Sequence, residues 1–123
     1  NHPLPIIIDP HQKFAKSEKD LKLKKKKFFT IMDEKIEEDE EKFIIPVKDI
    51  LNQLFEKEIQ SVLIEGGAKT LQPFIDANLY DEARIFRTNV KLREGLVAPK
   101  MNQNLISFSK KIKNDKLLIV YRD

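Results

Sequence analysis

The chain has 123 residues, of which 41% are hydrophobic and 35% charged, and its formal net charge is +3. This length fits one domain around one core, the composition is typical of a soluble globular protein, and so small a net charge favours no particular partner. The chain has no cysteine, which excludes disulfides and cysteine-ligated metal centres. It also has no apolar run near the roughly 18 residues that cross a bilayer, so we expect a cytoplasmic protein without a membrane partner.

The first predicted elements are two short strands separated by a basic segment. Ile6-Ile7-Ile8 is a continuous β-branched run, typical of a strand buried on both faces in a parallel sheet, and residues 28–32 predict a second strand. Five lysines lie between residues 22 and 27. They are compatible with a nucleic-acid or membrane-surface patch, but no aromatic residues interleave them to stack bases. We therefore favour solvated lysines and expect no nucleic-acid partner; the acidic stretch at residues 34–41 predicts a surface loop.

A strand, a helix and a second strand are predicted next. Residues 43–45 predict a strand that ends at Pro46, and proline suits the first position of a helix. Apolar spacing of three and four residues predicts a helix from about Pro46 to Glu58. Its expected buried face consists of Val47, Ile50, Leu51, Leu54 and Phe55. The run Ser-Val-Leu-Ile-Glu at residues 61–65 then predicts a strand, parallel to the previous one and joined to it by a right-handed crossover.

Two glycines, Gly66 and Gly67, directly follow that predicted strand. Glycines at the carboxyl end of a parallel strand let a ligand approach the backbone, where amides can hold an anion such as phosphate. The pattern is neither Gly-x-Gly-x-x-Gly nor a Walker loop, so neither the usual dinucleotide fold nor a nucleotide triphosphatase is indicated. A plain tight turn uses the same residues, and the glycine pair alone leaves both interpretations open.

A second helix is predicted after the glycines, with Leu71, Phe74, Ile75 and Leu79 on one face. Pro73 has no amide hydrogen, so we expect the regular helix to begin near Thr70, with Thr70 as its N-cap and Pro73 in the first turn. Asn78 is the expected end signal.

The last part of the chain predicts a strand, a loop and a hairpin. Residues 83–88 predict a parallel neighbour in the sheet, with Ala83 and Ile85 on one face and Arg87 as a further candidate for that face, and residues 91–101 predict a loop. Residues 105–108 and 117–121 flank a turn at residues 113–115, which is typical of an antiparallel hairpin. The predicted fold class is therefore mixed α/β, with a parallel centre, flanking helices and a C-terminal antiparallel hairpin.

From residue 61 to residue 84 the sequence closely resembles the reductase domain of bifunctional riboflavin-biosynthesis deaminase/reductases. The matching segments are Ser-Val-Leu-Ile-Glu-Gly-Gly-Ala-Lys-Thr-Leu-Gln and Phe-Ile-Asp-Ala-Asn-Leu-Tyr-Asp-Glu-Ala-Arg. Pro-Ile-Ile-Ile-Asp at residues 5–9 is similar to a family strand ending in aspartate, and residues 94–99 look like a loop of some members. The resemblance implies a dihydrofolate reductase-like fold. It also implies that residues 1–123 are the C-terminal portion of the reductase domain, incomplete at the N-terminus, and that a zinc deaminase domain precedes it in the full-length protein.

The activity implied by this resemblance is the NADPH-dependent reduction of 5-amino-6-(5-phosphoribosylamino)uracil to the ribitylamino product. By the same resemblance, the cofactor-binding residues are Gly66, Gly67, Ala68, Lys69 and Thr70 at the pyrophosphate and Asp9 at the adenosine end. This portion alone is expected to carry much of the cofactor side but not a complete substrate site.

Glu65 is the one candidate catalytic residue. It is placed to accept a hydrogen bond from a substrate or ribose hydroxyl and is a candidate for proton transfer; alternatively, it fixes the turn by accepting local amides. His2 and His11 lack a metal-ligand pattern, so no metal site is predicted. Two other functions stay open, namely a nucleotide- or phosphate-binding module without chemistry and a basic interaction domain using the lysines. Members of the family commonly pair, and exposed sheet edges favour association, so we expect a homodimer.

Overall fold

A computed structural model describes residues 4–8, 29–31, 37–38, 43–101 and 105–122. The elements of this part of the chain are β1 (Ile6–Ile8), β2 (Phe29–Ile31), β3 (Glu37–Glu38), β4 (Phe43–Ile44), α1 (Val47–Glu56), α2 (Ala68–Asp76), β5 (Glu82–Arg87), β6 (Ile106–Ile112) and β7 (Asp115–Tyr121). They belong to two compact units, Asn1–Ile59 and Gln60–Asp123. The lysine cluster at residues 22–27 and both histidines lie outside the described residues.

The first unit contains two short strand pairs. β1 and β2 are parallel, with Ile6 opposite Phe29, as the continuous isoleucine run predicts, but the three isoleucines are half-buried rather than buried on both faces. β3 and β4 are antiparallel, with Glu37 opposite Ile44. The prediction of a loop throughout residues 34–41 is therefore wrong for two residues. Strand pairing satisfies backbone amides and carbonyls. β3 forms such a pairing although both of its residues, Glu37 and Glu38, are acidic.

Helix α1 follows β4 after Pro46, which is its N-cap with a φ of −73°, close to the angle that the proline ring imposes. The predicted helix is confirmed, and its buried stripe includes Ile50 and Leu54, which are 2% and 3% exposed. Phe55 is a correction, because it is 79% exposed. At 3.6 residues per turn, Phe55 lies about 80° around the axis from Val47, at the margin of the stripe.

The end of α1 is a Schellman turn formed without glycine. Glu58 has a φ of 60°, and its N–H donates to the carbonyl of Phe55 at 2.9 Å. The N–H of Ile59 donates to the carbonyl of Leu54 at 3.1 Å. These two bonds satisfy carbonyls that the helix leaves without intrahelical partners, so the turn ends the helix even though glutamate is poorly suited to a left-handed backbone.

The run at residues 61–65, predicted as a strand, is an irregular segment. Val62 is 38% exposed and Leu63 is 82% exposed, so the apolar run is not buried in a sheet. Local β preference forms a strand only where a neighbouring strand supplies hydrogen-bond partners, and none of the described strands pairs with this segment. The predicted parallel crossover through α1 is therefore wrong.

Helix α2 begins at Ala68 with Gly67 as its N-cap, and no side chain caps it. The predicted start near Thr70 is therefore wrong, and Pro73 lies inside the helix. Its ring nitrogen cannot donate to the carbonyl four residues earlier. The N–H of Ala77 still donates to the Pro73 carbonyl at 3.1 Å, so the helical hydrogen-bonding pattern continues after the proline. Phe74, only 4% exposed, is the buried residue of this helix.

Asn78 ends α2, as predicted. Its φ is 54°, its N–H donates to the carbonyl of Ile75 at 3.0 Å, and the N–H of Leu79 donates to the carbonyl of Phe74 at 3.0 Å. This is the same Schellman arrangement as at the end of α1, with asparagine in the left-handed position that it tolerates better than other non-glycine residues.

The second unit contains a three-stranded sheet in the order β5-β7-β6, and both pairings are antiparallel. The hairpin prediction is confirmed, with a turn at Lys113 and Asn114 between β6 and β7. The prediction that β5 is a parallel neighbour is wrong, because the last strand of the chain returns beside it in the opposite direction. Leu118 and Val120 of β7 are 3% and 0% exposed and form the centre of the buried face. The predicted parallel centre is not formed by these strands.

Candidate functional site

The glycine turn lies between the irregular segment at residues 61–65 and α2. Gly66 has a φ of 152°, and Gly67 has an extended conformation, with φ −77° and ψ 176°. The Gly67 carbonyl accepts the N–H of Thr70 at 3.0 Å and that of Leu71 at 3.1 Å. The turn thus passes directly into the first turn of the helix.

Gly66 is required by the local backbone. Its φ lies in a region that L-amino acids with a side chain rarely adopt. A Cβ atom at Gly66 would also lie 3.2 Å from Cβ and 3.3 Å from Oγ1 of Thr70. The half-buried Thr70 side chain therefore occupies the space beside Gly66, and its role here is to pack under the turn rather than to cap the helix.

Gly67 is different, because its surroundings are open. Apart from Gly67 and its two chain neighbours, no described residue has a heavy atom within 4 Å of the position that a Cβ atom would take there, and the backbone angles of Gly67 are ordinary for any residue. The fold does not require glycine at this position. A residue without a side chain at a helix N-terminus leaves the backbone open to close approach by a ligand.

The chemistry of this open face favours an anion. The first amides of a helix point out of its N-terminus without intrahelical partners, and the helix dipole places partial positive charge there. Ala68 supplies the first helical amide and is half-buried, whereas Lys69 is exposed. Glu65 is exposed on the other side of the glycines. The turn therefore brings together five of the predicted cofactor residues and Glu65, but Asp9 lies outside the described residues.

Sequence reasoning missed Gln72, which joins α2 to the loop after β5. Its side-chain amide accepts a hydrogen bond from the N–H of Lys100 at 2.7 Å and donates one to the Lys100 carbonyl at 3.1 Å. It also donates to Oδ1 of Asp76 at 2.7 Å. We call these contacts the Gln72 clamp. A single glutamine on a helix carries no signal for such a role.

The loop held by the clamp is irregular, as predicted, and exposes several apolar side chains. Leu96 is 95% exposed and Val97 is 78% exposed. Within the described ranges, no group of side chains has the composition and spacing of a metal site. Neither helix of the described chain is long and apolar enough to span a membrane.

Comparison with known proteins identifies the family. The model of the RibD C-terminal domain matches residues 1–90, which include β1, the glycine turn, α2 and β5. A search of curated protein sequences finds no significant match. The family match agrees with the resemblance carried by the Glu-Gly-Gly segment and the residues after it. The chain belongs to the RibD C-terminal domain family, the reductase domain of riboflavin biosynthesis.

Proposed function

We propose that this chain carries the NADPH-binding side of a reductase that acts on a ribosylaminopyrimidine phosphate. The observation that carries the proposal is the open space at Gly67, at the N-terminus of a helix, where no described residue beyond the two chain neighbours has a heavy atom within 4 Å of a Cβ position. Helix N-termini with glycine backbones are suited to pyrophosphate. The residues of the turn therefore fit this part of the cofactor.

Each residue of the turn has a distinct task in the proposed site. Gly66 sets the bend, and Thr70 supports it by packing against Gly66. Gly67 leaves room for the pyrophosphate, the helix amides beginning at Ala68 orient it, and Lys69 adds positive charge at the exposed surface. Asp9 would contact the adenosine end. Bound NADPH supplies the hydride.

Glu65 is the proposed link between cofactor and substrate. Its carboxylate is exposed directly before the glycines, where it can accept a hydrogen bond from a ribose hydroxyl and pass a proton when the ribosyl group is reduced. The substrate would be 5-amino-6-(5-phosphoribosylamino)uracil and the product its ribitylamino form.

The cofactor site is tested with two substitutions at one position. Aspartate and asparagine are both favoured N-caps, so Gly67→Asp and Gly67→Asn should both fold, but only aspartate places a negative charge against the pyrophosphate. We expect titration with NADPH, followed by fluorescence, to show about tenfold or greater weakening for Gly67→Asp relative to Gly67→Asn. Gly95→Asp, in the exposed loop, is the charge control. Equal affinity of all variants would remove the turn from the site.

The reaction is tested with full-length protein. It should oxidise NADPH only when the ribosylaminopyrimidine phosphate is present, and Glu65→Gln should lower kcat by about 100-fold if the carboxylate transfers a proton. Glu94→Gln, at an exposed loop position, is the matched control. NADPH binding by folded protein without turnover would contradict the reductase and favour the second candidate, a nucleotide- or phosphate-binding module without chemistry.

We also propose that the protein is a homodimer whose full-length form carries an N-terminal zinc deaminase domain. The support for pairing is the three-stranded sheet, whose edge strands β5 and β6 each have an unpaired side within the described residues, and such edges favour association. Light scattering during gel filtration should give twice the monomer mass. A monomer at all concentrations would contradict the dimer.

A further inference from the structure

Three basic side chains form a row across the sheet of the second unit. Arg87 of β5 lies directly opposite Lys116 of β7, and Lys116 lies directly opposite Lys111 of β6. Residues directly opposite in antiparallel strands project from the same face, with their Cβ atoms about 5 Å apart. We call these three residues the cationic row. It lies at one end of the face on which Leu118 and Val120 are buried.

The cationic row is unfavourable without a counter-charge, because like charges directly opposite each other destabilise a sheet. Among the described residues, no carboxylate forms an ion pair with any member of the row. Arg84, on the other face of β5, differs in this respect. Its guanidinium donates to Glu82 at 2.5 Å, and this hydrogen bond raises the pKa of Arg84.

Protection of a sheet edge does not account for the row. Lysines on edge strands prevent pairing with other chains, and this explanation suits Lys110 and Lys111 of β6. It does not apply to Lys116, because β7 is the central strand with a neighbour on each side. Edge protection therefore does not explain the charge at Lys116.

An open surface recess of about 460 Å³ adjoins the row, which leaves room for a small ligand. Its lining residues are Arg87, Thr88, Asn89, Lys111, Asn114, Asp115 and Lys116. Three cationic residues and one acidic residue thus line the recess, and the uncharged lining residues carry hydroxyl and amide groups that can form hydrogen bonds. Arginine provides a planar fork that binds two oxygens of a phosphate at once, and lysine ammonium groups add point charges.

We propose that this recess binds a small molecule bearing a phosphate group, at a site separate from the glycine turn. Arg87 and Lys116 hold the phosphate from two neighbouring strands, and Lys111 completes its neutralisation. Asn89, Asn114 and Asp115 contact the uncharged part of the ligand. Lys111 and Lys116 lie beyond residues 1–90, which the family model matches, and the inference does not rest on the proposed reductase activity.

The test is titration of the protein with inorganic pyrophosphate, followed by amide chemical shifts. Saturable shifts are expected at Arg87, Lys111 and Lys116. Lys116→Gln should weaken binding about five- to tenfold by removing one charge-assisted contact. Lys110→Gln is the matched control, because Lys110 neighbours Lys111 but lies opposite Leu117 on the other face. Its affinity should equal that of the wild type.

Four outcomes would overturn the inference. Shifts that do not saturate, or equal weakening by Lys110→Gln and Lys116→Gln, would show diffuse attraction to a basic surface. Tight binding of a single-stranded oligonucleotide, with no saturable response to pyrophosphate, would point instead to nucleic acid. Gly67→Asp separates the two sites, because it should weaken NADPH binding and leave the response of the cationic row to pyrophosphate intact. Loss of that response in Gly67→Asp would mean that there is one site rather than two.

Discussion

Gly66 and Gly67 are neighbours with different reasons for being glycine. The backbone at Gly66 has a positive φ and lies against the Thr70 side chain, whereas the backbone at Gly67 is ordinary and open. Stability therefore depends on the first glycine, and the proposed ligand contact depends on the second. The two contributions can be separated by substitution.

Gly66→Ala should lower the free energy of unfolding by about 1–3 kcal/mol, because the new methyl group meets Thr70 and the backbone becomes strained. Gly67→Ser should change it by less than about 0.5 kcal/mol, because the open position accepts a side chain and serine is a favoured N-cap. Urea denaturation of both variants measures the difference. Equal losses would show that Gly67 also serves the fold.

Both helices end in the same kind of turn, but with a different residue in its left-handed position. Glu58 and Asn78 both occupy the left-handed position of a Schellman turn. Asparagine adopts this backbone more readily than glutamate, so the end of α1 stores more strain than the end of α2.

Glu58→Gly should therefore raise the free energy of unfolding by about 0.5–1 kcal/mol through relief of that strain. Asn78→Gly, the matched change in α2, should gain less. Thermal denaturation of the two single variants against the wild type makes the comparison. A larger gain at Asn78 would contradict the strain argument.

The features predicted correctly from sequence are those with a local physical cause. Pro46 with the apolar spacing after it predicts α1, Asn78 predicts the end of α2, and residues 113–115 predict the hairpin turn. The candidate turn at Gly66 and Gly67 was also visible, since glycine pairs mark places where a side chain would interfere.

The predictions that were wrong concern residues whose partners lie far away in the sequence. The run at residues 61–65 has strong β preference, but no described strand pairs with it, and β5 is antiparallel only because β7 returns beside it. Gln72 was missed for the same reason, since its partner Lys100 is 28 residues away. Predicting the cationic row would also require the register of the strands, because its three residues are far apart in the sequence and become neighbours only across three strands.

Across the second unit, we expect the protection of backbone amides from hydrogen exchange to depend on where each strand lies in the sheet. β7 has neighbours on both sides and contains the buried Leu118 and Val120. In hydrogen exchange, its amides should be the slowest in this unit and those of residues 88–99 the fastest, because exchange follows burial and hydrogen bonding. The Lys100 amide should be protected relative to residues 88–99 by its bond to Gln72. Rapid exchange throughout β7 would contradict the sheet order.

The Gln72 clamp bears on where residues can be inserted into the second unit. It fixes Lys100 to α2, so the loop between β5 and Lys100 is closed at both ends whatever its length. Even doubling such a loop costs only about 0.6 kcal/mol of closure entropy. Flexible residues inserted beside Gly95, where a Cβ atom would have one neighbour at 3.6 Å, should be accommodated without unfolding. This loop is thus the place where the second unit can accept a tag, a reporter or an additional binding segment.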